Sequence, residues 1–342
     1  MNKALVIFNP NAGRGRGQKR VQEVRDALDA AGVPYESVIS EDRGHAIELA
    51  HRAALAGRGR GQKRVQEVRD ALDAADVPYE SVISEDRGHA IELAHRAALA
   101  GRELIVAAGG DGTINEVVNG LMEAAAEGAA MARLGIMPIG SGNDFASSLG
   151  IPLDMRQAAE TLKRGELRAV DIGLVNGRYF DNNVGVGFEA MINIEAHKMT
   201  WLRGQLLYLT AVFRALVSFP FPTVTIQLDD RQIKDKSILM ISVGNNPRIG
   251  GGFPITPDAV PDDGEMDICI VDAIPRMKIL QLLPKAMKGT HRNEPEVELA
   301  RFTHLVIESE QPLPVHADGE ILWNDAHRVE VQVLPGRLEV IV

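Results

Sequence analysis

Glycines flank a lone carboxylate in Glu103–Gly120, ELIVAAGGDGTINEVVNG, and that pairing is the strongest chemical signal in the chain. Gly109, Gly110 and Gly112 allow a tight turn and let backbone approach a ligand with no Cβ in the way. Thr113 to Gly120 read as a helix opening straight out of the turn, so its first amides and the positive end of its dipole face whatever the turn holds. Such a site suits phosphate. Asp111 alone repels phosphate, so a carboxylate in this place recruits Mg2+ or a proton. Asn115 and Glu116 follow in the opening helix, where Glu116 either orients the loop or is a first-turn acid that favours the dipole.

The elements that position this turn alternate along the first part of the chain. Leu104–Ala108 is a buried strand that feeds the turn. Ala4–Asn9 is a second short strand and runs into Asn9-Pro10-Asn11-Ala12-Gly13; Leu134–Pro138 is a third and runs into Gly140-Ser141-Gly142-Asn143-Asp144-Phe145-Ala146. Strands alternating with helices from Met1 to about Gly150 predict a parallel sheet with helices on both faces and ligand loops at the strand carboxyl ends. Past Ile151-Pro152 the apolar period becomes two, as in Val224, Ile226, Leu228 and in Val329, Val331, Val333. Turns are expected at Asn176-Gly177, Asp229-Asp230 and Pro335-Gly336. The expected fold is α/β: a nucleotide-binding parallel α/β domain over residues 1–150, an antiparallel β-sandwich substrate domain over 151–342, and an active site in the cleft between them.

Length and composition agree with two domains, since 342 residues at 45% hydrophobic content bury two ordinary cores. The apolar run before Asn9-Pro10 is too short for a signal peptide, and no uncharged apolar stretch reaches the roughly 20 residues that span a bilayer. A cytoplasmic protein is expected. Cys269 is the only cysteine, which excludes an intramolecular disulfide and a thiolate metal cluster and suggests a buried structural thiol. Nine histidines form no HExxH pair, and the net charge of −10 disfavours nucleic acid and a constitutive hold on anionic lipid, leaving room for a local basic patch.

Arg14–Gly57 and Arg58–Gly101 are one 44-residue sequence written twice, differing only in that Gly32 becomes Asp76. Each copy reads as helix, strand, helix; in the first these are Gln18–Ala31, Tyr35–Ser40 and a helix opened by Gly44-His45-Ala46. A near-identical pair is a tandem duplication and not a solenoid. Gly32 follows the first helix where a left-handed residue is wanted, and Asp76 is strained there by about 1 kcal/mol. The first copy is therefore expected in the sheet, the second looped out, and a homodimer that exchanges the identical segments satisfies the same contacts.

With these blocks in view, GGDGTINEVVNG resembles the signature of the diacylglycerol kinase catalytic family, bacterial lipid kinases related to sphingosine and ceramide kinases. Asn9–Gly13 is similar to the family's NPxxG nucleotide loop, and Gly140–Ala146 to its GTxNDFA block with Ser141 in place of threonine. Val170–Gly173, Pro257–Asp267 and Ala317–Glu320 also match, in order. The resemblance implies an ATP- and Mg2+-dependent kinase acting on a lipid hydroxyl, with diacylglycerol the first choice and phosphatidate the product. It puts nucleotide at Asn9, Pro10, Asn11, Ala12, Gly13, Ser40, Gly110, Asp111, Gly112, Thr113, Asn115, Glu116 and Ser141, with Arg14 a further phosphate contact. Asp111, Asp144 and Glu320 are the implied catalytic groups, Glu320 as proton acceptor; Asp144 alternatively caps a helix, and Glu320 is otherwise a turn acid. A second, structural Mg2+ is implied at Val260, Asp263 and Glu265, against a plain Asp-Gly turn. Trp201–Phe221 and Met277–Met287 are core helices or a peripheral membrane contact. The rival readings are an NAD kinase-like enzyme, which shares the GGDGT turn, and a non-catalytic lipid- or nucleotide-binding protein.

Overall fold

The computed structural model describes residues 4–8, 59–199, 204–249 and 252–342; Asn9–Gly13, Arg14 and Ser40 lie outside them. Two units divide the chain: Met1–Ser141 with Pro152–Glu166 and Ile341, and Gly142–Ile151 with Leu167–Val340 and Val342.

In the first unit β1 (Ala4–Phe8), α1 (Gly59–Ala74), β2 (Tyr79–Ile83), α2 (His89–Leu99), β3 (Leu104–Gly109), α3 (Asp111–Ala126) and β4 (Arg133–Pro138) follow one another. The strands pair parallel in the order β2-β1-β3-β4. β3 and β4 are buried at every residue but the first, as expected of strands covered on both faces. Because β1 lies between β2 and β3, chain order reverses at the β1–β3 pair, the place where open α/β sheets bind ligands. Phe8 is level with Ala108 and Gly109 with Pro138, so these strands deliver their carboxyl ends to one level.

Two expectations are corrected here. The strand beside β1 is Tyr79–Ile83, from the second copy of the repeat; the first copy lies outside the described residues. Asp76 does adopt the left-handed conformation, φ 57°, and the Val77 amide donates to Leu72 O at 3.0 Å to close the helix end. A short polar side chain tolerates that region, so the strain is too small to exclude this copy. The second copy is joined directly to β3 and the first directly to β1, so 44 surplus residues lie within the connections of the sheet whichever copy pairs, and chain connection does not select between them. The other correction is the boundary near residue 150. The segment Gly142–Ile151, with α4 (Asp144–Ser148), clusters with the second unit, whereas α5 (Met155–Arg164) returns to the first. It does so because Ala158, Ala159 and Leu162 share a core with Val65, Val68 and Leu72 of α1 and with Val106 and Met137.

The second unit continues with β5 (Leu167–Val175), β6 (Arg178–Phe180), β7 (Asn183–Gly187), α6 (Phe188–His197), α7 (Gly204–Ser218), β8 (Thr223–Leu228), β9 (Arg231–Gly244), β10 (Met266–Asp272), α8 (Arg276–Met287), β11 (Val297–Phe302), β12 (His304–Ala317) and β13 (Glu320–Ile341). Its strands run antiparallel, β11-β10-β9-β7-β12-β13, with β8 also bridging β9 and β12. Asn176 and Gly177 turn between β5 and β6 with positive φ, as a two-residue hairpin requires, and Asp229 does the same between β8 and β9. At Pro335-Gly336 β13 is not interrupted, but Gly336 takes the left-handed conformation, φ 54°, so the expected turn survives as a bend within the strand, and the Gly336 amide donates to the Asp171 carboxylate at 2.7 Å. One core lies among the strands; another joins them to α6, α7 and α8 through Phe188, Leu216, Phe219, Ile279 and Leu282. Cys269 is buried in the latter, and burial pushes its thiol up to about 12, as suits an inert structural cysteine.

Deleting either copy of the repeat yields the same chain, 44 residues shorter, except for Gly or Asp at the left-handed position. Both shortened proteins should fold, and the glycine form should be more stable by about 0.5–1 kcal/mol in urea denaturation. Failure of both would show that the first copy is structural too. A second expectation concerns His291, which is buried with Nε2 3.0 Å from Ile255 O. Burial lowers its pKa below 6.5, so protonation is resisted in the folded state; the stability it contributes is complete above pH 6.5 and lost as the pH falls through the folded value. Melting temperatures of His291→Gln should fall less than the parent's on acidification below pH 6.5, and parallel curves would contradict this.

Candidate active site

The glycine turn is held by backbone contacts that tie two loops together. A Cβ on Gly110 would stand 2.9 Å from Gly140 Cα, so the turn after β3 and the loop after β4 touch where only glycine fits. Ile139 N also donates to Gly109 O at 2.9 Å. Gly110 O takes the amides of Thr113 and Ile114 at 2.9 and 3.1 Å and starts α3, with Asp111 in its first turn. The helix thus begins two residues before expected and runs to Ala126. Among the described residues an added Cβ at Gly112 would meet nothing within 4 Å and φ is not positive, so none of them requires glycine there. What the missing side chain leaves, with respect to those residues, is open space at the first turn of the helix, beside Asp111.

Other residues of the signature serve the scaffold. Glu116 is buried, and its Oε2 accepts the Ala90 amide at 3.2 Å, in the first turn of α2. α2 has Gly88 at its N-cap and no side-chain cap of its own, so Glu116 supplies one from a neighbouring helix. Glu116 lies past the first turn of α3, so it is not a first-turn acid, and this contact stands beside the other role weighed for it, orienting the loop. One turn on, a Cβ at Gly120 would fall 2.3 Å from Ile91 O, so the last glycine of the signature is where α3 crosses α2. Asn119 Nδ2 donates to Asn115 O at 2.9 Å, and both side chains are buried with Thr113.

In the Gly140–Ala146 block Ser141 is exposed, Asn143 is buried with φ 57°, and Phe145 is fully buried. Asn143, not Asp144, holds the N-cap position of α4; Asp144 is its first residue and partly buried. The division of the chain into units falls inside this block, after Ser141. Two residues missed by sequence reasoning join the set. Ser84, buried directly after β2, stands in the second copy where Ser40 stands in the first. Arg64, also of the second copy, donates from its guanidinium to Ile139 O beside Gly140. The repeat was the signal for Ser84, 44 residues after Ser40; nothing in the sequence singled out Arg64.

In the second unit Glu320 opens β13, rather than ending a strand, across the turn Asp318-Gly319. Arg178 lies 3.6 Å from its carboxylate. The hairpin is anchored by Asp318, whose carboxylate accepts the amides of Asp181, Asn182 and Asn183 at 3.0, 3.1 and 2.7 Å. Burial raises its pKa while these amides oppose the shift.

At the third cluster Asp263 Oδ1 accepts the Glu265 amide at 3.2 Å, and Arg301 lies 3.4 Å from Asp263 and 3.5 Å from Glu265. Desolvation, countered by Arg301 and reinforced by Asp263, Asp258 and Glu265, raises Asp267 to about 6. Among the described residues no three His, Cys, Asp or Glu side chains converge as a cation site. A cation at Val260, Asp263 and Glu265 would thus rest on carbonyls plus the Asp263 carboxylate, an all-oxygen set that suits a hard ion, and would share Asp263 with Arg301.

A parallel unit with glycine loops at one level, followed by an antiparallel unit, defines a two-domain α/β fold with a β-rich C-terminal part. Residues 3–55 and 54–175 match the Diacylglycerol kinase catalytic domain, the two segments meeting inside the repeat, and residues 182–342 match the YegS C-terminal NAD kinase beta sandwich-like domain. A diacylglycerol kinase of Bacillus subtilis is 32% identical over 94% of this chain and 90% of its own. One from Staphylococcus aureus is 29% identical over 93% and 86%. A crystal structure of a diacylglycerol kinase from Bacillus anthracis superposes with a TM-score of 0.65 at 21% identity, over 99% of this chain and 96% of that one, and bears on the fold alone. The chain belongs to the diacylglycerol kinase catalytic family and is a lipid kinase.

If a cation binds at Val260, Asp263 and Glu265, Asp263→Ala should lower the melting temperature more in Mg2+ buffer than in chelator, since a bound ion stabilises only the folded state. Equal shifts in the two buffers would leave a plain turn paired to Arg301.

Proposed function

We propose that this kinase uses ATP and Mg2+ to phosphorylate the free hydroxyl of diacylglycerol, giving phosphatidate. The observation that carries the reading is the N-terminus of α3, with Asp111 in its first turn and open space at Gly112, set at the switch point of the parallel sheet. The backbone of the Gly110–Thr113 turn is suited to hold the phosphates, with Ser84, Ser141 and the Asn9–Gly13 segment as further nucleotide contacts. Asp111 would hold the ion that accompanies the triphosphate, with Asp144 in support. Mg2+ bound there supplies neutralisation of the charge that spreads over the transferred phosphoryl group. Glu320 takes the proton of the lipid hydroxyl as its oxygen bonds to the γ-phosphorus, and the bond from that phosphorus to the bridging oxygen breaks to release ADP. Arg178 and the Asp318 anchor orient Glu320 for this. The first unit is assigned the nucleotide and the second the lipid. Among the described residues no helix is long and apolar enough to cross a membrane, and the enzyme is proposed to work from the cytoplasm at the membrane surface.

Incubation of the purified protein with labelled ATP, Mg2+ and a total lipid extract should label phosphatidate. Asp111→Asn should keep the fold and lose turnover by roughly 10²-fold or more. Glu320→Gln should lower kcat by about 10²- to 10⁴-fold with ATP affinity unchanged. Near-normal turnover in Asp111→Asn removes it from the mechanism, and collapse of ATP affinity in Glu320→Gln makes that residue a structural group.

A further inference from the structure

We infer that α7 and α8 form a docking face for an anionic lipid bilayer. Of the exposed large hydrophobic residues among the described residues, Phe213, Val217, Met277, Leu280 and Met287 lie on these two helices, and the rest are scattered. On α8 the outward residues Met277, Leu280, Pro284 and Met287 are spaced three or four apart and form one stripe. The opposite stripe, Ile279, Leu282, Leu283 and Ala286, faces the core. A surface helix with a single core to cover needs only one apolar stripe, so the second asks for an apolar surrounding. α7 repeats the pattern: Val212, Ala215 and Leu216 are buried, while Phe213 and Val217 are 62% and 64% exposed. The helices meet through Arg276, which donates to Leu216 O at 2.8 Å and Phe219 O at 3.2 Å, so the outward residues belong to one region.

Charge selects the occupant. Neither helix contains an Asp or Glu, in a chain with 47 of them, yet the two carry Arg214, Arg276, Lys278 and Lys285. The carboxylates that pair with these cations come from other elements and sit further in: Glu195 is 8% exposed where its partner Arg214 is 54% exposed. Lys285 and Lys278 likewise project beyond Glu294 and Glu296. The face therefore sets cations, each ion-paired one more exposed than its carboxylate, around apolar side chains on a protein of net charge −10. Two copies of such a face repel each other, whereas anionic headgroups over acyl chains match both features. The choice of a bilayer as occupant rests on the lipid-kinase reading.

The experiment is co-sedimentation, without nucleotide, on phosphatidylcholine vesicles with and without phosphatidylglycerol. The parent should bind the mixed vesicles, less so as salt rises, and Phe213→Asp with Met277→Asp should weaken binding roughly tenfold or more. Circular dichroism should show the double variant folded, since both side chains are exposed. Phosphorylation of a short-chain diacylglycerol dispersed in water should be unchanged, while phosphorylation of vesicle-borne diacylglycerol falls. Lack of binding by the parent, or equal binding by the variant, overturns the proposal. So does a dimer of the parent that the variant dissolves, when neither sediments with vesicles. Binding that the variant loses, in a protein that phosphorylates no lipid, would uphold the face and overturn the kinase chemistry instead.

Discussion

The contact between Gly110 and Gly140 is the constraint on which the first unit's site depends. Two loops from neighbouring strands touch backbone to backbone, which fixes the height at which α3 begins and hence where Asp111 stands. A side chain at Gly110 would separate the loops. The parallel register does the rest, bringing Phe8, Ala108 and Pro138 to nearly one level, so that residues far apart in sequence act at one edge of the sheet.

The second unit reaches comparable rigidity by another means. Its hairpin from Asp318 to Glu320 is fixed by one half-buried carboxylate that gathers three successive amides. Asp171 repeats the device, taking the amides of Gly264 and Gly336, each at 2.7 Å. Carboxylates used in this way are costly to bury and are offset by the donors they collect. The aspartates of this unit thus divide into those that hold backbone and those that face solvent cations, such as Asp262 in its paired bonds to Arg168.

Most of the fold was legible because its signals are local. Alternating strands and helices, the change of period after residue 150 and the Asn176-Gly177 turn are written in neighbouring residues, and the glycine turn announced itself by composition. What local signals leave out is the distant partner. Pro335-Gly336 reads as a turn and does bend, with Gly336 at φ 54°, but its place inside a continuous strand beside the Asp171 carboxylate, over 160 residues away, is not written in its neighbours. The contact of Glu116 with the Ala90 amide on another helix is likewise invisible in the signature. The repeat was visible letter by letter, but its single difference was a poor guide to the copy that pairs with β1, because Asp76 adopts the left-handed conformation at small cost.

Gly120 gives the signature helix a mechanical property. Its contact with Ile91 O acts as a fulcrum, and Asp111 sits nine residues away along a stiff rod, about 13 Å at the helical rise. A methyl group inserted at the fulcrum would tilt the rod, and a tilt of roughly five degrees swings its far end by about 1 Å. The alignment of the N-terminal end is therefore set two and a half turns away from it, by the thickness of one hydrogen atom where a side chain would otherwise stand.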